Sequence, residues 1–467
     1  MTDGASNGPQ RPPADLLPAG LGAQVEAATG AELIGVKPRG GGGASREGAE
    51  LSLRRADGRE VRAYMNYDVK KAGAGDDAAF LREAAILRAL SGPLAGAGVR
   101  TARLIASIPE SRALIAEFAP GEADYNKLKS TEDRRAVAHD FMAQLATLHA
   151  IDAQAAHIEG MGEPGLPSEM IRERLGALRA RNRANGEDPL LRLSLDWLET
   201  HIPPDPERVV IVHGDAGPAN FLYQDGRVTA LLDWELVHFG DPVADLAMLC
   251  LRNLFQPFIP LPEAFAAYEA AGGVRVDLGR VRYYRLFFQT GFAAGRRFAD
   301  PKAPRPPNLG MNMVYSTIHR RVLSEALAEA AGVTLAPVAI PEVPPGPRDL
   351  SFEIALEDLR EAIVPAISDQ RASAKAKGLA RLIKWWRTID RLGPALQTEE
   401  LAALSAALGR SFTNLEEGRE ALGRAVASGQ IDTAAAIRLC NAQVARDAAL
   451  MGDAMGALTK ARFTPLD

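Results

Sequence analysis

The chain has 467 residues, 47% of them apolar and 24% charged, with a net charge of −5 and an isoelectric point near 5.9. Such a length and composition belong to a globular protein of about three domains and exclude a disordered or fibrous chain. The acidic balance offers no basic domain for nucleic acid, no apolar run is long enough for a membrane span, and two distant cysteines, Cys250 and Cys440, suit a reducing cytoplasm rather than a disulfide framework or zinc site.

The opening stretch, MTDGASNGPQRPPADLLPAG, has no basic segment leading into an apolar one and reads as neither signal peptide nor anchor. Its Gly, Pro and polar content makes residues 1–25 an expected disordered tail. From about Ala31 short strand-like runs alternate with turns, and Asp57-Gly58 marks a hairpin. Between Lys37 and Lys71 nine Lys or Arg stand against five Asp or Glu, a local positive excess that would attract a polyphosphate. Gly40 to Gly43 with Ser45 either offer backbone N–H groups to phosphate oxygens or form a plain flexible linker. AAFLREAAILRAL then spaces its apolar residues as a helix, with Arg82 and Glu83 on the polar side. Two strand-like runs flank Pro109-Glu110-Ser111, the second ending in Glu117-Phe118. Residues 131–150 form an amphipathic helix with Phe141, Leu145 and Leu148 on one face, and its His139 and His149 read as structural.

Residues 209–249, VVIVHGDAGPANFLYQDGRVTALLDWELVHFGDPVADLAML, hold the densest set of catalytic residue types. The run Val209 to Val212 delivers His213-Gly214-Asp215, and the run Val228 to Leu232 delivers Asp233-Trp234-Glu235. Asp225-Gly226 reads as the tight turn of a hairpin that pairs these two runs. Asp215, Asn220 and Asp233 would then converge as two carboxylates and an amide oxygen, hard donors suited to Mg²⁺ beside phosphates. Asp215 and Asn220 are five residues apart, the step of the protein-kinase catalytic loop, in which the Asp takes a hydroxyl proton and the Asn holds metal. Asp241 and Asp245 fall near the start of a helix, which suits N-capping by the first and loop-bracing by the second.

Further helices follow at Ala264 to Ala271 and Arg280 to Arg297, the second rich in aromatic residues that read as buried packing. Residues 334–347, TLAPVAIPEVPPGP, carry five prolines in fourteen residues and read as a semi-rigid linker. Residues 348–467 show helical periodicity and almost no strand signal, an expected antiparallel bundle of four or five helices. Its expected role is association, either with a partner or as a homo-oligomer of this chain.

In HGDAGPAN followed by LLDWE the sequence resembles the aminoglycoside phosphotransferase family, a kinase-like branch in which HGDxxxxN stands for the HRD loop and a plain Asp for the DFG motif. The resemblance covers residues 30 to 330. It implies an α+β, two-lobed protein-kinase-like fold followed by an all-α helical bundle. In that division residues 26–118 form the nucleotide-binding lobe, 119–333 the catalytic lobe, 334–347 the linker and 348–467 the bundle. It also implies ATP and Mg²⁺ as cofactors, a hydroxyl of a small molecule as acceptor, Asp215 as catalytic base, and Asn220 and Asp233 as metal ligands. Gly41, Gly42, Gly43 and Ser45 would form the nucleotide loop, and the main chain of Glu117 and Phe118 the adenine-binding hinge. His213 and Asp245 would support the catalytic loop, while Glu235 and His238 would either line the acceptor site or brace the loop. Glu83 is the helix acid expected to pair with a strand cation. Where the family places that cation the chain reads VRAYMNYD, with Arg62 nearest and Lys70 or Lys71 as alternatives. The missing Lys opens a competing reading, a catalytically weak or inactive nucleotide-binding scaffold. A metal-dependent hydrolase would need more ligands than His213, Asp215 and the nearby His238.

Overall fold

The structure, a computed structural model, describes residues 12–39, 46–68, 77–294, 306 and 308–466. The chain divides into two compact units, Met1–Pro167 with Asp205–Val276, and Ser168–Pro204 with Asp277–Asp467.

In the first unit a 3₁₀ turn at Pro13–Leu16 leads into helix α1 (Leu21–Thr29). Leu17, Leu21 and Val25 recur at helical spacing and are buried in the core, so residues 13–25 are folded where the composition suggests a tail. Five strands follow: β1 (Glu32–Arg39), β2 (Glu47–Arg54), β3 (Glu60–Tyr67), β4 (Leu104–Ile108) and β5 (Ala113–Glu117). They form one antiparallel sheet in the order β1-β2-β3-β5-β4. Alternate residues Leu51, Leu53, Ala63, Met65 and Ile115 point into the core with α1. The opposite face carries Arg62, Tyr64 and Asn66. Asn66 pairs with Gly48, so Arg46, two residues before Gly48, falls on that same face. Helix α2 (Ala78–Ser91) brings Glu83 to it.

Helix α3 (Thr131–His149) starts at Ser130, whose hydroxyl accepts the Asp133 N–H at 2.9 Å, and Glu132 and Asp133 suit the positive end of the helix dipole. Its Phe141, Leu145 and Leu148 are buried. A short α4 (Ala153–Ala156) follows, then α5 (Pro167–Ala184) and α6 (Pro189–Thr200), which belong to the second unit from Ser168 onward.

The first unit resumes with β6 (Val210–Val212), β7 (Phe221–Gln224), β8 (Arg227–Leu231), β9 (His238–Gly240), α7 (Val243–Asn253) and α8 (Leu261–Ala270). The expected hairpin is repartnered: β6 pairs with β9, and β7 with β8. Asp225 and Gly226 have φ of 50° and 75° and form the turn between β7 and β8. A two-residue turn of this kind joins the strands that flank it directly, which leaves the more distant β6 to find another partner.

Among the described residues the regular elements of the second unit are all helices. After α5 and α6 come α9 (Leu278–Ala294), α10 (Leu309–Ala330), α11 (Asp349–Asp358), α12 (Val364–Ala366), α13 (Gln370–Leu408), α14 (Leu415–Ala427), α15 (Thr433–Leu450) and α16 (Gly452–Met455). Residues 334–347 hold neither helix nor strand, yet they do not separate two cores. Val314, Ile318, Val322, Leu323 and Leu327 of α10 are fully buried, and α10 packs on α9 as well as on α13 and α15. A helix apolar on more than one side needs partners on each, and those partners lie on both sides of the proline segment in sequence. The Asp188 carboxylate, which caps α6, also holds Arg320 of α10. Helix α13 runs through Pro394 as one element. No helix among the described residues is long and apolar enough to cross a membrane.

A chain cut after Gly332 would strip α6 and α10 of α13, α14 and α15. It is expected to aggregate or to bind far more apolar dye than the full chain. A soluble cut protein with a cooperative unfolding transition would show instead that the residues before the proline segment fold alone.

Candidate active site

The loop that carries Asp215 leaves β6 through His213 and Gly214. Gly214 sits at φ 85°, and a Cβ there would fall 2.2 Å from the Leu236 carbonyl oxygen, so only glycine fits. Asp245, in the first turn of α7, is fully buried beneath it. Its Oδ2 accepts the His213 N–H at 2.8 Å and its Oδ1 the Gly214 N–H at 2.8 Å. His149 Nε2 lies 3.0 Å from Oδ2, and His149 Nδ1 lies 2.8 Å from the Tyr268 hydroxyl. Burial alone would raise the Asp245 carboxyl, but the hydrogen bond from His149, the facing histidine rings and the Gly214 N–H hold it below the usual carboxylate range.

His213 ties this loop to the segment that carries Asp233. Its Nε2 is 2.9 Å from the Leu232 carbonyl, which only accepts, so Nε2 bears the hydrogen and Nδ1 accepts the Asp215 N–H at 3.3 Å. The ring is neutral, because burial pulls its pKa down, and it packs 4.6 Å from Trp234. His213 and Asp245 therefore hold the main chain of this loop in place through its N–H groups and the Leu232 carbonyl.

Asn220 Nδ2 donates to Asp215 Oδ2 at 2.7 Å and to the Asp215 carbonyl at 2.8 Å, which turns the amide oxygen away from Asp215. The Leu232 N–H donates to the Asn220 carbonyl at 2.8 Å, so the start of β7 and the approach to Asp233 are joined. Asp233 adopts a left-handed φ of 63°, uncommon for a residue with a side chain and typical of functional turns. Its side chain opens to solvent on one side. Burial among protein atoms on the others, and then the charges of Glu235 and Asp215, push it up to about 6. An amide oxygen and a carboxylate crowded by further negative charge fit a hard divalent cation. Among the described residues no group of three or more His, Cys, Asp or Glu forms a cage, so such a cation would complete its shell with water and phosphate oxygens, as Mg²⁺ does. The Asp215 carboxylate is also held by Arg252 of α7, whose Nε is 2.8 Å from Oδ1 and whose second guanidinium nitrogen reaches Oδ2.

On the sheet side the partner of Glu83 is Arg46, with Nη1 at 2.5 Å from Oε2; Arg46 also lies 3.7 Å from Glu235. Glu83 is buried rather than on a polar face, and burial raises its carboxyl to about 7 against the pull of Arg46. Arg62 does not fill the strand-cation position. It stands 3.9 Å over the Phe118 ring and 3.8 Å from Glu50. The Glu117 N–H donates to the Arg103 carbonyl and the Phe118 N–H to the Arg62 carbonyl, so these two main-chain donors are taken up by the sheet and do not face a base. Glu235 turns toward Arg46, and His238 stands in β9 opposite Val212 with Nδ1 at 2.9 Å from the Leu236 carbonyl. Gly41, Gly42, Gly43, Ser45, Lys70 and Lys71 lie outside the described residues.

Arg46 and Arg252 are the two site residues that sequence reasoning missed. The signal for Arg46 was the hairpin register set by Asp57-Gly58, which carries it onto the face of Asn66. The signal for Arg252 was its place two helical turns after Asp245, on the same face of α7.

The model of a family described as APH, phosphotransferase enzyme family, matches residues 53–284. The chain is 31% identical over 137 residues to acyl-CoA dehydrogenase family member 10 of Mus musculus, a stretch that is 28% of this chain and 12% of that protein. It is 33% identical over 106 residues to acyl-CoA dehydrogenase family member 11 of Gallus gallus, 22% of this chain and 13% of the other. The match thus spans about an eighth of the length of these curated relatives. Among solved structures, a macrolide 2′-phosphotransferase from Brachybacterium faecium is 24% identical with a TM-score of 0.42, covering 65% of this chain and 96% of that one. A thermostable mutant of aminoglycoside phosphotransferase APH(4)-Ia, in a ternary complex with ADP and hygromycin B, is 16% identical with a TM-score of 0.45, covering 67% of this chain and 97% of that one.

Replacing Asp245 by Ala would leave the His213 and Gly214 N–H groups and His149 without their buried acceptor. The expected loss is about 3–5 kcal/mol of stability, measured by urea unfolding, with catalytic-loop amides exchanging hydrogen faster than those of α3.

Proposed function

Because residues 53–284 belong to the phosphotransferase enzyme family, we propose that the protein transfers the γ-phosphoryl group of ATP to a hydroxyl of a small molecule. The observation that carries this reading is the convergence of Asp215, Asn220 and Asp233 on a loop braced from below by Asp245. The attacking hydroxyl donates its hydrogen to the Asp215 carboxylate while its oxygen approaches the γ-phosphorus. As that O–P bond forms, the bond to the β,γ-bridging oxygen breaks and ADP leaves with the electron pair. Asn220 and Asp233 would hold Mg²⁺, which when bound neutralises charge on the phosphate oxygens. Arg46, oriented by Glu83, supplies the cation that faces the polyphosphate from the sheet. The chemistry asks for little beyond position and charge, and these residues are of the kinds that give both.

The scaffold reading drew its support from an unfilled strand-cation position, and Arg46 beside Glu83 favours catalysis instead. Two free, buried cysteines accord with a cytoplasmic location.

Asp215→Asn should lower ADP release over a panel of small alcohols by roughly two orders of magnitude or more while Mg-ATP still binds; wild-type turnover in that variant would remove Asp215 from the reaction. Asp233→Ala is expected to weaken Mg-ATP binding much more than binding of metal-free ATP, a contrast that calorimetry reads directly. Arg46→Met should weaken ATP binding about tenfold, near 1.4 kcal/mol, whereas Arg62→Met should leave it almost unchanged. Equal effects of the two would return the strand-cation role to β3.

A further inference from the structure

A role for Arg252 follows from how Asp215 is held, and it rests on the phosphotransfer reading given above. The guanidinium forks onto both carboxylate oxygens, Nε on Oδ1 at 2.8 Å and the second nitrogen on Oδ2. A fork of this kind fixes the plane of a carboxylate, which a single ammonium contact does not. The stem of Arg252 reaches Asp215 by passing over Gly217. A Cβ on Gly217 would meet Arg252 Cβ at 2.8 Å and Cγ at 2.9 Å, and Gly217 has a φ of 149°. The second residue after Asp215 therefore carries no side chain where Arg252 crosses. Arg252 and Asp245 share one face of α7, so a single helix holds both the backbone of the catalytic loop and its reacting carboxylate.

Counting acceptor sites makes the consequence specific. A carboxylate oxygen takes about two hydrogen bonds. Among the described residues Oδ2 accepts from Arg252 and from Asn220 Nδ2, while Oδ1 accepts from Arg252 Nε only. We propose that Arg252 is a positioning residue for phosphoryl transfer: its fork sets the Asp215 carboxylate so that Oδ1 is the atom to which the acceptor hydroxyl donates. An ion pair that merely balanced a half-buried charge would make no such choice between the oxygens.

The test uses the full chain and the slow transfer to water, read as ADP release from Mg-ATP, so that no acceptor need be known. Arg252→Ala is expected to lower kcat roughly a hundredfold, the scale of an ångström of misplacement, with KM for Mg-ATP within about twofold. Millimolar guanidinium ion should restore part of the lost rate by refilling the fork. A wild-type kcat, or a fall that comes with a proportionate rise in KM and no rescue, overturns the proposal. If Arg252→Ala no longer binds Mg-ATP by calorimetry, Arg252→Lys decides, because it keeps the charge and loses the fork. A loss of kcat at wild-type Mg-ATP binding supports the role, and a wild-type kcat overturns it. Asp215→Asn is the control: wild-type protein releasing ADP no faster than that variant would sink the phosphotransfer reading itself, and this inference with it. Asp215→Asn impaired beside an unimpaired Arg252→Ala would sink the inference alone.

Discussion

The arrangement of the first unit depends on one buried carboxylate. Asp245 enters a fully enclosed position at the start of α7 with its charge met by two backbone N–H groups, by a histidine and by the positive end of its own helix. An ionised group there is tolerated because three hydrogen bonds meet its two oxygens. The same bonds convert a glycine-containing loop, otherwise free to take many shapes, into a fixed platform between β6 and β7. His213 extends the platform sideways to Leu232, and the Leu232 N–H returns to Asn220. Asp215, Asn220 and the segment that leads into Asp233 are thus joined by one connected set of hydrogen bonds.

The sheet side reaches the same electrostatic end by a different route. An acidic helix residue, Glu83, is buried where its charge would be costly, and the compensating guanidinium comes from the entrance of β2 instead of from β3. Arg46 lies within reach of Glu235 and Asp233 as well, so one cation faces three carboxylates. That surplus of negative charge around Arg46 and Asp233 is what a metal-bound polyphosphate would be expected to reorganise.

Local chemistry was readable in the sequence where it depended on short spacing. The step from Asp215 to Asn220, the Asp57-Gly58 turn, the apolar face of α3 and the bracing role of Asp245 are each decided within a few residues or by one helix face. What depended on pairing across distance was not readable. The apolar runs around Asp225-Gly226 admit either pairing, and only the turn's insistence on its immediate neighbours separates them. Arg62 and Arg46 occupy the same face of one hairpin, and side-chain reach, which no pattern encodes, selects Arg46. The proline segment at 334–347 suggested a domain boundary because proline forbids helix, but the end of a helix is not the end of a core. The apolar residues of α10 find their partners on α13 and α15 beyond it.

The crossing of Arg252 over Gly217 couples two positions that lie on different elements. A methyl at 217 and an arginine at 252 cannot occupy their present places together. The atom nearest to that methyl is the Cβ at 252, which every residue but glycine carries, and the φ of 149° at 217 disfavours a side chain on its own account. Shortening Arg252 therefore does not free position 217. The glycine would outlast replacements of the arginine, and a side chain at 217 would require the loop or α7 to shift.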